Sequence, residues 1–252
     1  MLSKRIIPCL DVKEGRTVKG IHFEDLQDVG DAVQLGQHYA RTGADELVYL
    51  DISATREGRN TFTRLVERIA DGINIPFTVG GGIASLADAS RLLDAGADKV
   101  SINSAAVARP ELIEEIAQRY GSQFVVVAID AKQRPDGEWY ITTHGGTRFT
   151  DRELFAWAHE AQERGAGEIL LTSMNHDGTR SGYPIPLFAR LTADLRIPVI
   201  ASGGAGCADH IVEVLTAGGA DAALAASIFH YGETTVAEVK RQLAACGVSV
   251  RV

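Results

Sequence analysis

Short apolar runs rich in Val, Ile and Ala alternate along the chain with longer stretches whose apolar positions recur at helical spacing. The runs predict strands at 6–11, 47–51, 77–80, 99–102, 124–130, 169–172, 199–202 and 222–225. Helical start and stop signals lie between them. Ser85 and Asp88 form a variant capping box ahead of ASRLLDAG, and Gly43, Gly96, Gly165 and Gly218 stand where helices end in a left-handed residue. Eight strands in βα alternation predict a (β/α)8 TIM barrel rather than an open doubly wound sheet. Neither GxGxxG nor GxxxxGK[ST] occurs to support the open form.

The two halves of the pattern match each other. GADELVYLDIS at 43–53 aligns with GAGEILLTSMN at 165–175, FTVGGGIAS at 77–85 with VIASGGAGC at 199–207, and GADKVSINSAAV at 96–107 with GADAALAASIFH at 219–230. The offset is 122 or 123 throughout, and the phrases CLDVKEG and AIDAKQRPDG place Asp11 and Asp130 in a similar relation. The expectation is a duplicated half-barrel, about 1–121 and 122–252, closing into one domain. No low-complexity linker separates the halves.

Composition narrows the chemistry. The 252 residues carry a formal charge of −8 with no basic run, which argues against nucleic acid as the main partner. Any bound anion must be held by local devices such as glycine nests and helix N-termini. No apolar stretch approaches a membrane span, and the opening MLSKRIIPCL lacks the features of a secretory leader. Three widely spaced cysteines, Cys9, Cys207 and Cys246, suggest neither a disulfide framework nor a zinc site, so a reduced cytoplasmic setting is expected. None of the seven histidines has metal-ligand spacing, and neither a metal nor an organic cofactor is signalled. His176 and His230 are open to a catalytic reading but fit packing or loop positions better.

In a barrel of this type the C-terminal strand ends form the active face. Alternation places Ile7, Cys9 and Asp11 on one face of the first strand, and Phe124, Val126, Ala128 and Asp130 on one face of the fifth. Asp11 and Asp130 therefore confront each other across the mouth, as a general base and a general acid would. A single strand-end Asp serves equally well as a loop cap. Asp51 and Asp177 add carboxylates at the same rim, with Asp177-Gly178-Thr179 also readable as a turn. Gly80–Gly82 with Asn103 and Ser104, and Gly203–Gly206 with Ala226 and Ser227, form two candidate phosphate cradles on opposite rims. The same glycines also suit tight βα turns. The long, charged loop after the first strand, containing Arg16 and Lys19, has the character of a lid, and its charges suit a solvated loop equally well. At the opposite end, Arg5, Glu46, Lys99 and Glu168 open four strands and could form a compensated ring, readable as a structural salt-bridge network.

CLDVKEG, FTVGGGI, GADKVSINSAAV, VVVAIDAK, GAGEILLTSMNHDGTRSGY, ASGGAG, ADAALAASIFH and the closing GVSVR together resemble the cyclase subunit of imidazole glycerol phosphate synthase, over essentially the whole chain. The resemblance implies a barrel that uses ammonia to convert a phosphoribulosyl-formimino carboxamide ribonucleotide to imidazole glycerol phosphate and aminoimidazole carboxamide ribonucleotide. It implies Asp11 as base, Asp130 as acid and Lys19 in a mobile loop. It further implies Gly82, Asn103 and Ser104 at one phosphate, and Gly178, Gly204, Ala226 and Ser227 at the other. Asp51, Thr172 and Asp177 complete the implied substrate-binding set. Arg5, Glu46, Lys99 and Glu168 match the family's charged gate over an ammonia passage, with a glutaminase subunit docked on that N-terminal face to form a heterodimer. The barrel isomerase one step earlier in the pathway and a non-catalytic phosphate-binding subunit are the competing readings. Lys13 and Lys132, shared by the two Asp phrases, receive no role from the sequence.

Overall fold

In the computed structural model, residues 2–21, 24–52 and 60–251 are described, with the side chains of 19–21, 24–26, 60 and 61 outside that description. Strand β1 (Arg5–Lys13) runs into a two-stranded ribbon, β2 (Arg16–Ile21) and β3 (Glu24–Asp31), before helix α1 (Ala32–Arg41). There follow β4 (Leu47–Asp51), α2 (Asn60–Gly72), β5 (Phe77–Gly80), α3 (Leu86–Asp94), β6 (Lys99–Ile102), α4 (Ser104–Ala108) and α5 (Glu111–Tyr120). The later part runs through β7 (Val125–Gln133), a ribbon of β8 (Trp139–Thr143) and β9 (Arg148–Glu153), α6 (Leu154–Glu163), β10 (Glu168–Ser173) and α7 (Ile185–Asp194). It finishes with β11 (Val199–Ser202), α8 (Ala208–Thr216), β12 (Ala222–Ala225), α9 (Ser227–His230) and α10 (Val236–Ala245). Parallel pairing in the order β1–β4–β5–β6–β7–β10–β11–β12 returns to β1, so the sheet closes as a (β/α)8 barrel. All eight expected strands are present.

Alternation divides each strand between two cores. Ile7, Cys9, Val48, Val126, Leu170, Ile200, Ala222 and Leu224 fill the barrel interior. Ile6, Leu10, Leu47, Tyr49, Ile129 and Ala131 face the helical layer. Each fully buried Ile or Leu contributes about 1.5–3 kcal/mol relative to exposure. Phe124 departs from the expected phase. It belongs to a 3₁₀ turn, Ser122–Phe124, and packs in the outer layer, because strand alternation begins only at Val125.

The recurring Gly-Ala-Asp phrases have a physical role at the bottom of the barrel. Asp45 N–H donates to the Ile6 carbonyl (3.2 Å) while its carboxylate accepts from Ile6 N–H (2.8 Å). Asp98 makes the same reciprocal pair with Phe77, and Asp221 with Val199. Each clamp ties the entry of one strand to the start of another, at about 1 kcal/mol net per hydrogen bond. The fourth phrase reads Gly-Ala-Gly because a Cβ at Gly167 would lie 2.1 Å from the Ser122 carbonyl oxygen. There the 3₁₀ turn takes over, and Val125 N–H donates to Ser122 instead.

Gly43, Gly96 and Gly165 have φ of 98°, 99° and 101°, the left-handed conformation expected after a helix. The fourth such residue is Gly219 (φ 71°), not Gly218. The offset that pairs GADKV with GADAA had already placed Gly219, not Gly218, opposite Gly96. At α3, Ser85 is the N-cap, accepting from Asp88 N–H, while Asp88 accepts from Ala84 N–H and the Ser85 hydroxyl.

Candidate active site

Asp11 and Asp130 occupy β1 and β7, four strands apart in either direction around the closed barrel. Each continues the interior phase of its strand, above Ile7 and Cys9 in one case and Val126 and Ala128 in the other. Each is also the point where a ribbon crosses the barrel strand: Asp11 is opposite Val18 of β2, and Asp130 is opposite Thr142 of β8. On the barrel side Asp11 stands beside Leu50, and Asp130 beside Thr172. Asp11 is 4% exposed.

Asp130 has the more clearly resolved surroundings. Asn103 Nδ2 donates to its Oδ2 at 3.1 Å. Burial pushes its carboxyl up from 3.8 to about 6; the Asn103 hydrogen bond pulls the other way, and the negative charge of Asp177 adds to the rise. An acid so placed keeps a protonated fraction near neutral pH and can donate a proton.

The two glycine clusters lie after β5 and β11. Gly81 (φ 103°) and Gly203 (φ 89°) are held by close backbone approach: a Cβ would come within 2.2 Å of the Asp51 oxygen at the first and 2.7 Å of the Ser173 oxygen at the second. Gly204 (φ 113°) accepts at its carbonyl from Gly182 N–H (2.8 Å) and has no room for a Cβ. Tight turning therefore accounts for these glycines. Asn103 (φ −129°, ψ −97°) and Ala226 (φ −126°, ψ −74°) share one backbone turn ahead of Ser104 and Ser227, the first residues of α4 and α9. A pocket beside the first cluster is lined by Asp51, Gly81, Gly82, Asp88 and Arg91.

The loop between β10 and α7 carries Asp177 and Gly178 (φ 75°). Ser173 shares a 2.9 Å hydrogen bond with His176 Nδ1, and burial holds the His176 imidazole below its ordinary value. The buried Tyr183 hydroxyl donates to the Leu224 carbonyl (2.9 Å), pinning this loop to β12. Sequence reasoning gave Tyr183 no role, although the residue closes the GTRSGY phrase. His230 packs as expected. Its Nε2 donates to the Cys9 carbonyl (2.9 Å), which can only accept, and its Nδ1 shares a 2.7 Å hydrogen bond with the Tyr39 hydroxyl. Lys19 lies in β2, its side chain outside the described ones.

At the other end of the barrel the four charges meet. Arg5 Nη1 donates to Glu46 (2.8 Å) and Glu168 (3.0 Å), and Lys99 Nζ donates to the same two carboxylates at 2.8 and 3.0 Å. The Thr78 hydroxyl adds a bond to Glu46 (3.0 Å). The positive and negative groups alternate in a closed ring. Burial opposes the charge of Arg5, but Glu168 and Glu46 outweigh it and raise the guanidinium further.

The closed barrel, with carboxylates opposed across its C-terminal mouth, defines the chain as a (β/α)8-barrel enzyme. The family model described as "Histidine biosynthesis protein" matches residues 5–235. The chain belongs to this family. A protein of Bacteroides thetaiotaomicron named imidazole glycerol phosphate synthase subunit HisF is 59% identical over 251 residues, covering 100% of both chains. Proteins of the same name from Anoxybacillus flavithermus and Flavobacterium johnsoniae are 58% and 57% identical over 252 residues, again covering 100% of both. No helix among the described residues is long and apolar enough to cross a membrane.

Proposed function

We propose that this chain is the cyclase subunit of imidazole glycerol phosphate synthase. It uses ammonia to convert the phosphoribulosyl-formimino carboxamide ribonucleotide to imidazole glycerol phosphate and aminoimidazole carboxamide ribonucleotide. The observation that carries the reading is the pair Asp11 and Asp130, opposed on the interior phase of β1 and β7. Ammonia adds to the ribulosyl ketone and water leaves. The new nitrogen then closes on the formimino carbon while the old C–N bond breaks. Each proton transfer needs a carboxylate within reach, one ionised and one able to donate. Asp11 takes the base role, and Asp130, raised by burial, the acid role.

The turns around Gly82, Asn103 and Ser104, and around Gly178, Gly204, Ala226 and Ser227, receive the two phosphates. Asp51, Thr172 and Asp177 line the space between, and Lys19 closes over the substrate. The ring of Arg5, Glu46, Lys99 and Glu168 gates the ammonia supply from a glutaminase bound at the N-terminal face. Duplication of one half-barrel accounts for the arrangement. Its support is that Gly81 and Gly203, Asn103 and Ala226, and the two ribbons fall at matching positions.

Purified protein is expected to consume the ribulosyl substrate with ammonium salt at mildly alkaline pH, and with glutamine only after the glutaminase is added. Isomerisation of the aminoaldose precursor with no ammonia-dependent turnover would overturn the reading. The relatives' name also favours the cyclase over that isomerase.

A further inference from the structure

Strand β7 does not stop at Asp130; it continues into the β8–β9 ribbon, whose two faces differ sharply. Ile129, Ala131, Trp139 and Ile141 pack into the outer core. Asp130, Lys132 and Arg134 alternate with them and project to the other face, where Lys132 is opposite Tyr140 and Asp130 opposite Thr142. Phe149 of β9 is in turn opposite Thr142, completing a row from Asp130 across the ribbon. Two inter-strand steps separate Phe149 from Asp130, roughly 10 Å.

Cations and aromatic rings organise this face. The Arg134 guanidinium lies 3.5 Å from the centroid of Tyr140 and 5.4 Å from that of Phe149, and donates to the Thr150 carbonyl at 3.2 Å. Lys132 Nζ lies 5.9 Å from the Phe149 centroid. Phe149 remains 43% exposed. The ribbon is braced against the Asp177 loop by Gln133 N–H donating to Asn175 Oδ1 (2.8 Å) and Met174 N–H donating to the Ala131 carbonyl (2.8 Å). An exposed ring with two cations within 6 Å of its centroid, on a braced ribbon continuous with a carboxylate, suits a planar aromatic heterocycle that carries a phosphate.

We propose that this face is the seat for the carboxamide-imidazole end of the ribonucleotide, with Phe149 stacking on the heterocycle and Lys132 and Arg134 supplying the positive field. The inference rests on the cyclase reading and places the leaving ribonucleotide next to Asp130. It also gives Lys132 a role, whereas Lys13, its counterpart in the repeat, is exposed at the end of β1.

The test is calorimetric titration with aminoimidazole carboxamide ribonucleotide, with inorganic phosphate as control. Phe149→Ala should weaken the ribonucleotide at least about fivefold and leave phosphate binding unchanged, since stacking on a ring depends on that ring. Phe149→Trp should restore the affinity. Unchanged ribonucleotide affinity in Phe149→Ala overturns the proposal, as does an equal loss for phosphate. Wild-type protein that fails to turn over the ribulosyl substrate with ammonia refutes the functional reading itself. Wild-type turnover with an indifferent Phe149→Ala variant refutes this inference alone.

Discussion

Replacing Asp130 with asparagine should stabilise the protein while abolishing its turnover. Folding takes this carboxyl from 3.8 to about 6. At about 1.4 kcal/mol per pH unit, the rise corresponds to about 3 kcal/mol lost whenever the group is ionised in both folded and unfolded chains. Below 3.8 it is protonated in both states and costs nothing. The cost grows as pH rises from there and is complete once pH passes about 6, the folded-state value. Asparagine carries no charge to desolvate, and its carbonyl oxygen can keep the bond from Asn103. The gain of Asp130→Asn should therefore be small near pH 4, climb through pH 5 and 6, and level off at up to about 3 kcal/mol. For a chain of this length that is an increase in Tm of roughly 6–12 °C. Thermal melts of both proteins between pH 4.5 and 8, with substrate binding and ammonia-dependent turnover measured on the same preparations, check every part. A stability difference that does not change with pH, or a variant less stable than wild type at pH 8, would refute the electrostatic account. Wild-type turnover in Asp130→Asn would remove the residue from the acid role.

Asn103→Ala removes a bond that favours the ionised form of the acid, so the limb on which the rate falls as pH rises should move to higher pH; Asp177→Asn removes a like charge and should move that limb to lower pH. Glu46→Ala deletes the acceptor shared by Arg5, Lys99 and Thr78 and should cost about 3–5 kcal/mol in urea melts. Gly204→Ala forces a Cβ to 2.1 Å from the Gly182 oxygen at φ 113°, and should cost about 2 kcal/mol or more while weakening inorganic phosphate binding measured by calorimetry. Lys99→Ala should disturb glutamine-dependent turnover in the assembled synthase more than turnover with ammonium salt.

The barrel strands were legible because a parallel strand covered on both sides reads as an apolar run, and the acids at its end stand out against it. Alternation carried Asp11 and Asp130 to the interior phase of their strands, because the side-chain period within a strand is fixed. Phe124 failed for the same reason: a 3₁₀ turn just before the strand resets the phase, and nothing apolar or polar marks it. The ribbons were less visible. The stretch after the first Asp was read as a lid loop, whereas residues 16–21 and 24–31 pair as antiparallel strands with irregular register. The stretch after Asp130 held hairpin signals, alternation in WYITT after an Asp-Gly turn, but β9 has almost no apolar face to complete the pattern. The Asn103–Asp130 bond and the Phe149 platform depend on register between separate strands, which no single segment encodes.

The two ends of the barrel handle charge in opposite ways, and the difference bears on which end does chemistry. At the bottom, two cations and two anions alternate, and every one of the four has two partners of opposite sign. Such a ring lowers the cost of burying its four charges. At the top, Asp130 is placed where burial and the charge of Asp177 both oppose ionisation, with a neutral amide as its resolved hydrogen-bond partner. A bound cation there would have stabilised the fold and held the proton off. The amide fixes the orientation of the carboxylate without taking away its ability to bind a proton, which is the property that an acid in turnover requires. Substitutions that neutralise charge should consequently destabilise at the bottom and stabilise at the top, and the sign of the effect separates the structural ring from the reactive acid.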